Sequence, residues 1–279
     1  MLKTRVITAV ILVVCFLSAL FLVSALWWSL LTLAATLAAA HEWSRLWSFD
    51  AAEEFGYLTG TIGIACMILF VFPLHAASAP AYWLAASFWL VVAPLWLLHA
   101  WKPGSKWLAA VLGWTILLPV WLALIELRDL GPLWLLAVMA LVWVADIAAY
   151  FAGHAFGRRK LAPAISPGKT WEGAVGGLLA VLAYAGLAIW AWQAASGDAG
   201  DANPLGGGQM GPVHWMWLLL YALVLGIMSI VGDLYESALK RGAGVKDSGT
   251  LLPGHGGILD RTDALLPVLP LAALIFTWR

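Results

Sequence analysis

The stretch VITAVILVVCFLSALFLVSALWWSLLTLAATLAAA, residues 6–40, has no charged side chain and decides the class of fold. A helix needs about 20 mainly apolar residues to cross a bilayer, so this run is too long for one crossing and fits two. We place the turn between them near Ser24 to Trp28, and without a convincing cleavage site we interpret both as retained helices. The whole chain shares this character, with 63% hydrophobic residues and a mean hydropathy of +0.91. No soluble core could bury so much apolar surface, so we predict an all-α, polytopic integral membrane protein.

Further apolar stretches of spanning length follow along the chain. They lie at residues 57–74, 81–100, 107–126, 133–153, 173–195, 213–238 and 264–278. Together with the first pair they give about nine predicted transmembrane helices.

Lysine and arginine are unevenly distributed among the segments between these helices. With the N-terminus inside and alternating crossings, the inside segments hold Lys3, Arg5, Arg45, Lys102, Lys106, Arg158, Arg159, Lys160, Lys169, Lys240, Arg241, Lys246 and Arg261. Only Arg128 and Arg279 of the 15 basic residues then lie outside. Because cytoplasmic loops carry the excess of Lys and Arg, we predict an N-in, C-out topology with the chemistry at the cytoplasmic face. The net charge of zero gives no field that would favour nucleic acid as a partner.

One cluster of ionisable residues, GDLYESALKRGAGVKDSG at residues 232–249, begins at the end of the eighth predicted helix. Asp233, Glu236, Ser237 and Lys240 share one face by their helical spacing. Carboxylates at a membrane boundary are costly unless they are paired or bind a cation, so these residues are candidates for a functional site. The alternative is a helix end that emerges into water with a Glu–Lys pair.

A second cluster, LLPGHGGILDRTDA at residues 251–264, interrupts two apolar runs. Its glycines let backbone N–H groups approach a ligand closely, as phosphate-binding turns require. Asp260 and Asp263 follow at i, i+3 spacing with Arg261 beside them, and such oxygen ligands suit Mg²⁺ with substrate phosphates. A polar turn with an Arg–Asp pair is the alternative.

A third cluster lies in DIAAYFAGHAFGRRKLAPAISPGKTWEG, which runs from Asp146 to Gly173. Asp146 is late in an apolar helix and repeats the pattern of the eighth helix. The basic GRRK run fits an inside anchor that attracts anionic lipid. Ser166 or Thr170 can cap the next helix, and Lys169 near its N-terminal end would favour an anion.

The segment from Ser237 to Asp263 resembles the signature of the phosphatidate cytidylyltransferases, also called CDP-diacylglycerol synthases. That signature runs Ser-x-x-Lys-Arg, Lys-Asp, His-Gly-Gly and Asp-Arg-x-Asp. Its fixed positions are present as Ser237, Lys240, Arg241, Lys246, Asp247, His255, Gly256, Gly257, Asp260, Arg261 and Asp263. GDLYES and SPGKTWEG also resemble family motifs, although Gly168 stands where the family commonly has a lysine.

The resemblance implies a Mg²⁺-dependent reaction in which CTP and phosphatidic acid give CDP-diacylglycerol and pyrophosphate. The lipid phosphate is already an anion, so the enzyme must position two negative reactants and stabilise charge rather than supply a strong base. The expected catalytic residues are Asp233, Lys240, Asp260 and Arg261. The expected metal ligands are Asp233 and Asp260, followed by Asp263, Glu236 and Asp146. The expected substrate-binding residues are Ser166, Lys169, Ser237, Arg241, Lys246, Asp247, His255, Gly256 and Gly257.

The same resemblance places the site at the boundary of a bacterial cytoplasmic membrane, because CTP is cytosolic and phosphatidate lies in the bilayer. Residues 1–130 are expected to anchor the chain and could form a homodimer interface, and residues 131–279 are expected to be catalytic. A second, monovalent cation stays open.

Two other functions are compatible with parts of this pattern. A CTP-dependent polyprenol or dolichol kinase, or a cytidylyltransferase for another lipid phosphate, would differ in its product. A secondary transporter would show inverted repeats with charges near the middle of the membrane in both halves. Here the charges gather at one face, mostly after residue 145, which favours the enzyme.

Overall fold

The structure is a computed structural model and describes residues 2–71, 74–99, 104–196, 212–251, 254 and 256–277. Its helices are α1 (Leu2–Leu22), α2 (Ala25–Leu46), α3 (Ala51–Phe70), α4 (Leu74–Ser87), α5 (Ala93–His99), α6 (Lys106–Leu130), α7 (Pro132–Phe156), α8 (Trp171–Ser196), α9 (Pro212–Gly242), α10 (Leu259–Thr262) and α11 (Leu265–Thr277). A π-helical turn, Phe88–Val92, joins α4 to α5. Strands β1 (Lys160–Ala162) and β2 (Ser166–Thr170) form an antiparallel hairpin between α7 and α8.

Six helical segments of the described chain are long and apolar enough to cross a membrane, judged by length and composition. They are residues 51–70, 77–99, 106–130, 132–156, 171–194 and 213–242, and shorter apolar segments lie at 13–22 and 265–275. The prediction of a mostly helical chain with several helices of spanning length is confirmed. The number nine and the N-in, C-out orientation stay predictions.

The hairpin at residues 160–170 shows that the all-α prediction is wrong in detail. Pro163 and Pro167 lack a backbone N–H and disfavour helix, so the segment between α7 and α8 is extended instead. Lys160 pairs with Thr170 and Ala162 pairs with Ser166, with an irregularity in the register between the two pairs.

The predicted turn between the first two helices is confirmed at its early edge. The chain leaves the helix at Val23 and Ser24, and Ser24 is the extended N-cap of α2. The guanidinium of Arg128 donates to the carbonyls of Leu20 and Val23 and lies 5.2 Å from the ring centroid of Trp28. A cationic donor thus satisfies carbonyl groups that the end of α1 leaves without helical partners.

Helix α6 is the most buried of the long helices, and α2 packs along it. Indole N–H groups connect the two helices, because Trp28 donates to Leu124 O at 2.9 Å and Trp43 donates to Ala109 O at 2.9 Å. Trp121 donates back to the carbonyl of α2 at residue 29, at 3.1 Å. Buried N–H groups with partners at both ends of the contact hold α2 in a fixed position against α6.

The C-terminal elements pack into this N-terminal core. Helix α11 contacts α4, α6, α7 and α9, and α7 packs along most of α8. The charged ends of α2 and α9, the loop after α9 and α10 meet at one end of the bundle.

Candidate functional site

A cavity of about 570 Å³ opens between α7, α8, α9 and the hairpin. Asp146 from α7, Lys169 from β2 and Asp233 from α9 line it, together with Lys160 and His154. Most of the remaining lining is glycine, alanine and leucine. The cavity therefore brings together acidic and basic side chains that the sequence places in three separate segments.

Glycines on α8 give the cavity its narrow floor. A Cβ atom at Gly173 would lie 2.8 Å from the carbonyl oxygen of Ala149, and one at Gly177 would lie 2.9 Å from that of Ala145. These distances are too short for any side chain, so α7 and α8 can approach this closely only because both positions are glycine.

The SPGKTWEG motif forms the second strand of the hairpin and the start of α8. The Thr170 hydroxyl accepts a hydrogen bond from Gly173 N at 3.1 Å, so Thr170 caps α8, whereas Ser166 lies in β2 opposite Ala162. The Glu172 carboxylate accepts from Arg158 N at 3.0 Å and from the next backbone N–H, which ties the beginning of the hairpin to the helix. The motif thereby holds Lys169 in an ion pair with Asp233.

Two further carboxyl groups lie beside this ion pair, that of Asp146 on α7 and that of Asp263 between α10 and α11. A Cβ atom at Gly232 would lie 2.5 Å from the carbonyl oxygen of Asp263, and this close approach brings Asp263 beside α9. Asp146, Asp233 and Asp263 lie near enough for their charges to interact with one another and with Lys169. With one ammonium among three carboxyl groups, this group has an excess of acidic over basic side chains in a largely apolar environment.

A cation would balance that excess. In the described part of the chain, no three His, Cys, Asp or Glu side chains are close enough to hold a metal ion between them. Mg²⁺, however, usually takes one or two protein carboxylates and completes its octahedron with water and substrate phosphates. The carboxylates around Asp233 fit that requirement.

A second charged group lies one to two turns further along α9. The Lys240 ammonium is 2.5 Å from Glu236 Oε2 and 2.6 Å from Asp260 Oδ1, and all three side chains are at least 88% buried. The other carboxylate oxygen of Asp260 accepts from Ser248 N at 2.9 Å and from Gly257 N at 2.8 Å. Burial opposes ionisation of Asp260, but Lys240 and these N–H groups outweigh it and hold its pKa at about 2.

This arrangement assigns structural partners to two groups that we expected to face the substrate. Asp260 uses both oxygens on protein donors, and the Gly257 N–H donates to Asp260. Gly256 has a positive φ of 83°, and a Cβ atom there would lie 2.7 Å from Asp260 Oδ2, which explains the glycine. In this conformation, the turn binds a carboxylate where we predicted a phosphate.

The remaining predicted residues bond to other partners or are exposed. Ser237 Oγ donates to Asp233 Oδ1 at 3.4 Å, and Arg241 donates to the carbonyl of Val245 at 3.0 Å at the end of α9. Of the predicted substrate-binding and catalytic residues, four are exposed: Arg241, Lys246, Asp247 and Arg261. His255 lies outside the described residues.

A buried carboxylate at this site, that of Glu42 near the end of α2, was not among the predicted residues. Glu42 is 1% exposed and accepts hydrogen bonds from Ser248 Oγ, Ile258 N and Leu259 N, each at 2.9 Å. The only local signal is a charged residue at the end of an apolar helix, and no spacing relates it to a loop 206 residues away.

The family of the chain follows from its similarity to known proteins. A sequence profile of the cytidylyltransferase family matches residues 3–278. The chain belongs to the cytidylyltransferase family. Its relatives include proteins named phosphatidate cytidylyltransferase from Pseudomonas aeruginosa (38% identical, covering 99% of this chain and 97% of the relative), Haemophilus influenzae (32%, 97% and 96%) and Brucella suis (37%, 99% and 92%). This family membership covers the helices as well as the motif, and it confirms the resemblance stated from the signature residues.

Proposed function

We propose that the protein is a phosphatidate cytidylyltransferase, which converts CTP and phosphatidic acid to CDP-diacylglycerol and pyrophosphate. The observation that carries the proposal is the arrangement along α9, where one face presents Asp233 to the cavity and Lys240 to the loop after α9. The two residues are seven positions apart, or about 10 Å along the helix axis. A nucleoside triphosphate is long enough to contact both groups.

Metal binding falls to the carboxylates around the cavity. Asp233 is the central ligand candidate, with Asp146 and Asp263 beside it, because their combined charge exceeds that of Lys169. Glu236 and Asp260, which the sequence also favoured, contact Lys240 instead. When bound, Mg²⁺ neutralises phosphate charge and stabilises the pyrophosphate leaving group.

The remaining chemistry needs positioning rather than proton transfer. A phosphate oxygen of phosphatidate attacks the α-phosphorus of CTP, the bond from that phosphorus to the bridging oxygen breaks, and pyrophosphate leaves with the electron pair. Lys169 at the cavity is placed to hold phosphate oxygens of one reactant. Lys240, Arg241, Lys246 and Arg261 form a basic group for the triphosphate, and Asp260 keeps Lys240 in a fixed orientation.

The same geometry supports the proposed membrane setting. The hairpin, the end of α9 and the end of α2 carry the charges at one end of the bundle, whereas Arg128 lies with the turn between α1 and α2. This separation supports the proposal of nine crossings with the N-terminus inside and the site at the cytoplasmic face of a bacterial inner membrane. A homodimer through residues 1–130 remains part of the proposal.

The proposal is tested by pyrophosphate release from purified protein in detergent micelles. Release should require CTP, phosphatidate and Mg²⁺ together. Asp233→Asn should lower the rate on the order of 100-fold or more, because it removes charge from the proposed metal site. Glu54→Gln serves as the control and should remain near the wild-type rate. It removes a carboxylate on α3 that pairs with His41 on α2. Near wild-type Mg²⁺-dependent turnover in Asp233→Asn would refute the metal assignment.

A further inference from the structure

The carboxylate of Glu42 binds the loop that carries the second charged group. Its Oε1 atom accepts from Ile258 N, and its Oε2 atom accepts from Leu259 N and Ser248 Oγ. These donors lie in residues 248–251 and 256–259, two described segments that we together call the 248–259 loop. One side chain of the N-terminal region therefore holds the two segments together.

Two glycines show how closely the loop approaches this carboxylate. A Cβ atom at Gly249 would lie 2.6 Å from Glu42 Oε1, and a Cβ atom at Gly257 would also collide with the Glu42 carboxylate. The loop backbone can reach Glu42 only with glycine at these positions. The contact therefore depends both on the carboxylate at residue 42 and on the two glycines of the loop.

Glu42 stands on a fixed support. Its neighbour Trp43 is 1% exposed and donates its indole N–H to Ala109 O on the central helix α6 at 2.9 Å. A carboxylate on a rigid helix restricts the positions of its hydrogen-bond donors more than a carboxylate on a loop does. The position of α2 therefore determines the position of the 248–259 loop.

The contact continues to Lys240 through one residue. Asp260 accepts from Ser248 N and Gly257 N. Ser248 also donates its hydroxyl to Glu42, and Gly257 directly precedes Ile258, whose N–H donates to Glu42. Asp260 in turn binds Lys240 at 2.6 Å. Glu42 and Asp260 together therefore engage the consecutive N–H groups of residues 257–259, and the loop cannot shift without moving Asp260 away from Lys240.

We propose that Glu42 is a positioning residue for the nucleotide side of the active site, an inference that rests on the proposed function. Glu42 is 1% exposed and acts through the loop rather than on a substrate. It holds the 248–259 loop so that Asp260 keeps its position against α9 and its contact with Lys240. The N-terminal helices thus complete the active site as well as anchor the chain.

The test compares Glu42→Gln with Glu126→Gln. Glutamine at residue 42 keeps one acceptor oxygen but turns its NH₂ group towards donors, so at least one buried donor loses its partner. Glu126 is also buried, at 6% exposure, and accepts from the Tyr82 hydroxyl at 2.9 Å, a bond that glutamine can keep. Hydrogen exchange followed by mass spectrometry is measured for both variants and the wild type, without substrate.

We expect exchange in Glu42→Gln to accelerate on the order of tenfold to a hundredfold at whichever of Ile258 and Leu259 loses its acceptor, as loss of a hydrogen bond to a charged acceptor implies. Exchange in α7 and α8 should stay at the wild-type rate, and Glu126→Gln should leave the loop unchanged. In turnover, Glu42→Gln should raise the KM for CTP on the order of tenfold while the KM for phosphatidate stays within about twofold, because the cavity is intact.

Unchanged loop exchange in Glu42→Gln would overturn the proposal, and so would acceleration spread evenly over all helices, which would indicate a general loss of stability. An equal rise of both KM values would also overturn it, since a positioning role confined to the loop predicts a difference. Exchange needs no substrate, so it decides whether Glu42 holds the loop even if the wild type fails to make CDP-diacylglycerol, which would refute the proposed function separately.

Discussion

Replacing Asp260 with asparagine removes one charge from the group that holds Lys240. Asp260 accepts from Lys240 with one oxygen and from Ser248 N and Gly257 N with the other, and its side chain is 6% exposed. Asparagine offers a single oxygen. It can face the two backbone N–H groups or Lys240, but it cannot face all three donors.

The expected magnitude follows from these two orientations. Facing the N–H groups, asparagine loses one charge-assisted hydrogen bond, worth about 1.5–3 kcal/mol. Facing Lys240, it leaves two buried N–H groups without a partner, at about 1–3 kcal/mol each. The first orientation is lower in free energy, so we expect Asp260→Asn to lower the free energy of unfolding by about 2 kcal/mol. It also leaves Lys240 with Glu236 alone, and a displacement of that ammonium should lower kcat/KM for CTP by roughly 10- to 100-fold.

The assay is the apparent melting temperature in detergent, followed by tryptophan fluorescence, together with turnover. A loss of about 2 kcal/mol corresponds to roughly 4–8 °C for a chain of this size. Glu53→Gln is the control, because it also removes one carboxylate charge but from an ion pair with Lys106 whose side chains are 36% and 46% exposed. Exposed pairs contribute about 0–1 kcal/mol. If Asp260→Asn melted and turned over like Glu53→Gln, the role of Asp260 in holding Lys240 would be refuted.

The pH dependence of the same variant gives an independent check. The pKa of Asp260 is lowered from 3.8 to about 2 in the folded protein. A carboxyl with a lowered pKa stabilises the fold above its unfolded pKa, and this contribution is lost as the pH falls through the folded pKa. The difference in melting temperature between wild type and Asp260→Asn should therefore be constant above about pH 5 and shrink between about pH 4 and pH 2. A difference that grew on acidification would contradict the assignment.

Other variants test the packing and the cavity. Gly177→Ala should destabilise the protein by about 1–3 kcal/mol, because its Cβ atom would lie 2.9 Å from a backbone oxygen. In the control Gly186→Ala on the same helix, the Cβ atom meets nothing within 4 Å, so stability should be unchanged or rise by up to about 1 kcal/mol. Equal melting temperatures of the two variants would contradict the close packing of α7 and α8. Gly168→Lys adds an ammonium at the cavity, where a Cβ atom meets nothing within 4 Å. The variant should lower the KM of an anionic substrate by no more than roughly fivefold. A raised KM for both substrates would count against a phosphate site there. Asp50→Ala removes the N-cap of α3, whose carboxylate accepts two backbone N–H groups at 2.9 Å, and should cost about 1 kcal/mol in the same melting assay; no change would contradict the cap.

Much of the fold was predictable because apolar length is a strong signal. The runs at residues 107–126, 133–153 and 213–238 fall within α6, α7 and α9. The helices extend beyond the apolar runs, since polar residues continue a helix once its ends leave the apolar region, and α9 runs to Gly242. The hairpin was not predictable, because its two strands are three and five residues long and form through pairing across a turn rather than through a hydrophobic period.

The candidate site was predictable as a set of residues but not as a set of partners. The signature identified Lys240 and Asp260, yet it gave no indication that they bind each other. Lys169 was expected near the start of α8 and is there, but its pairing with Asp233 depends on how the hairpin folds back on α9. Glu42 was beyond prediction from local sequence, because its partners follow 206 to 217 residues later and tertiary packing, with both α2 and α11 on α6, brings them together.

Nucleotidyl transfer to a lipid phosphate is distinguished from phosphoryl transfer by the position of a label in CTP. Purified protein is incubated with phosphatidate, Mg²⁺ and CTP labelled either at the α-phosphorus or at the γ-phosphorus, and lipid and aqueous products are separated. Nucleotidyl transfer predicts that the α-label enters the lipid as CDP-diacylglycerol and that the γ-label leaves as pyrophosphate. Transfer of the γ-label to a lipid with release of CDP would show a kinase instead and would contradict it.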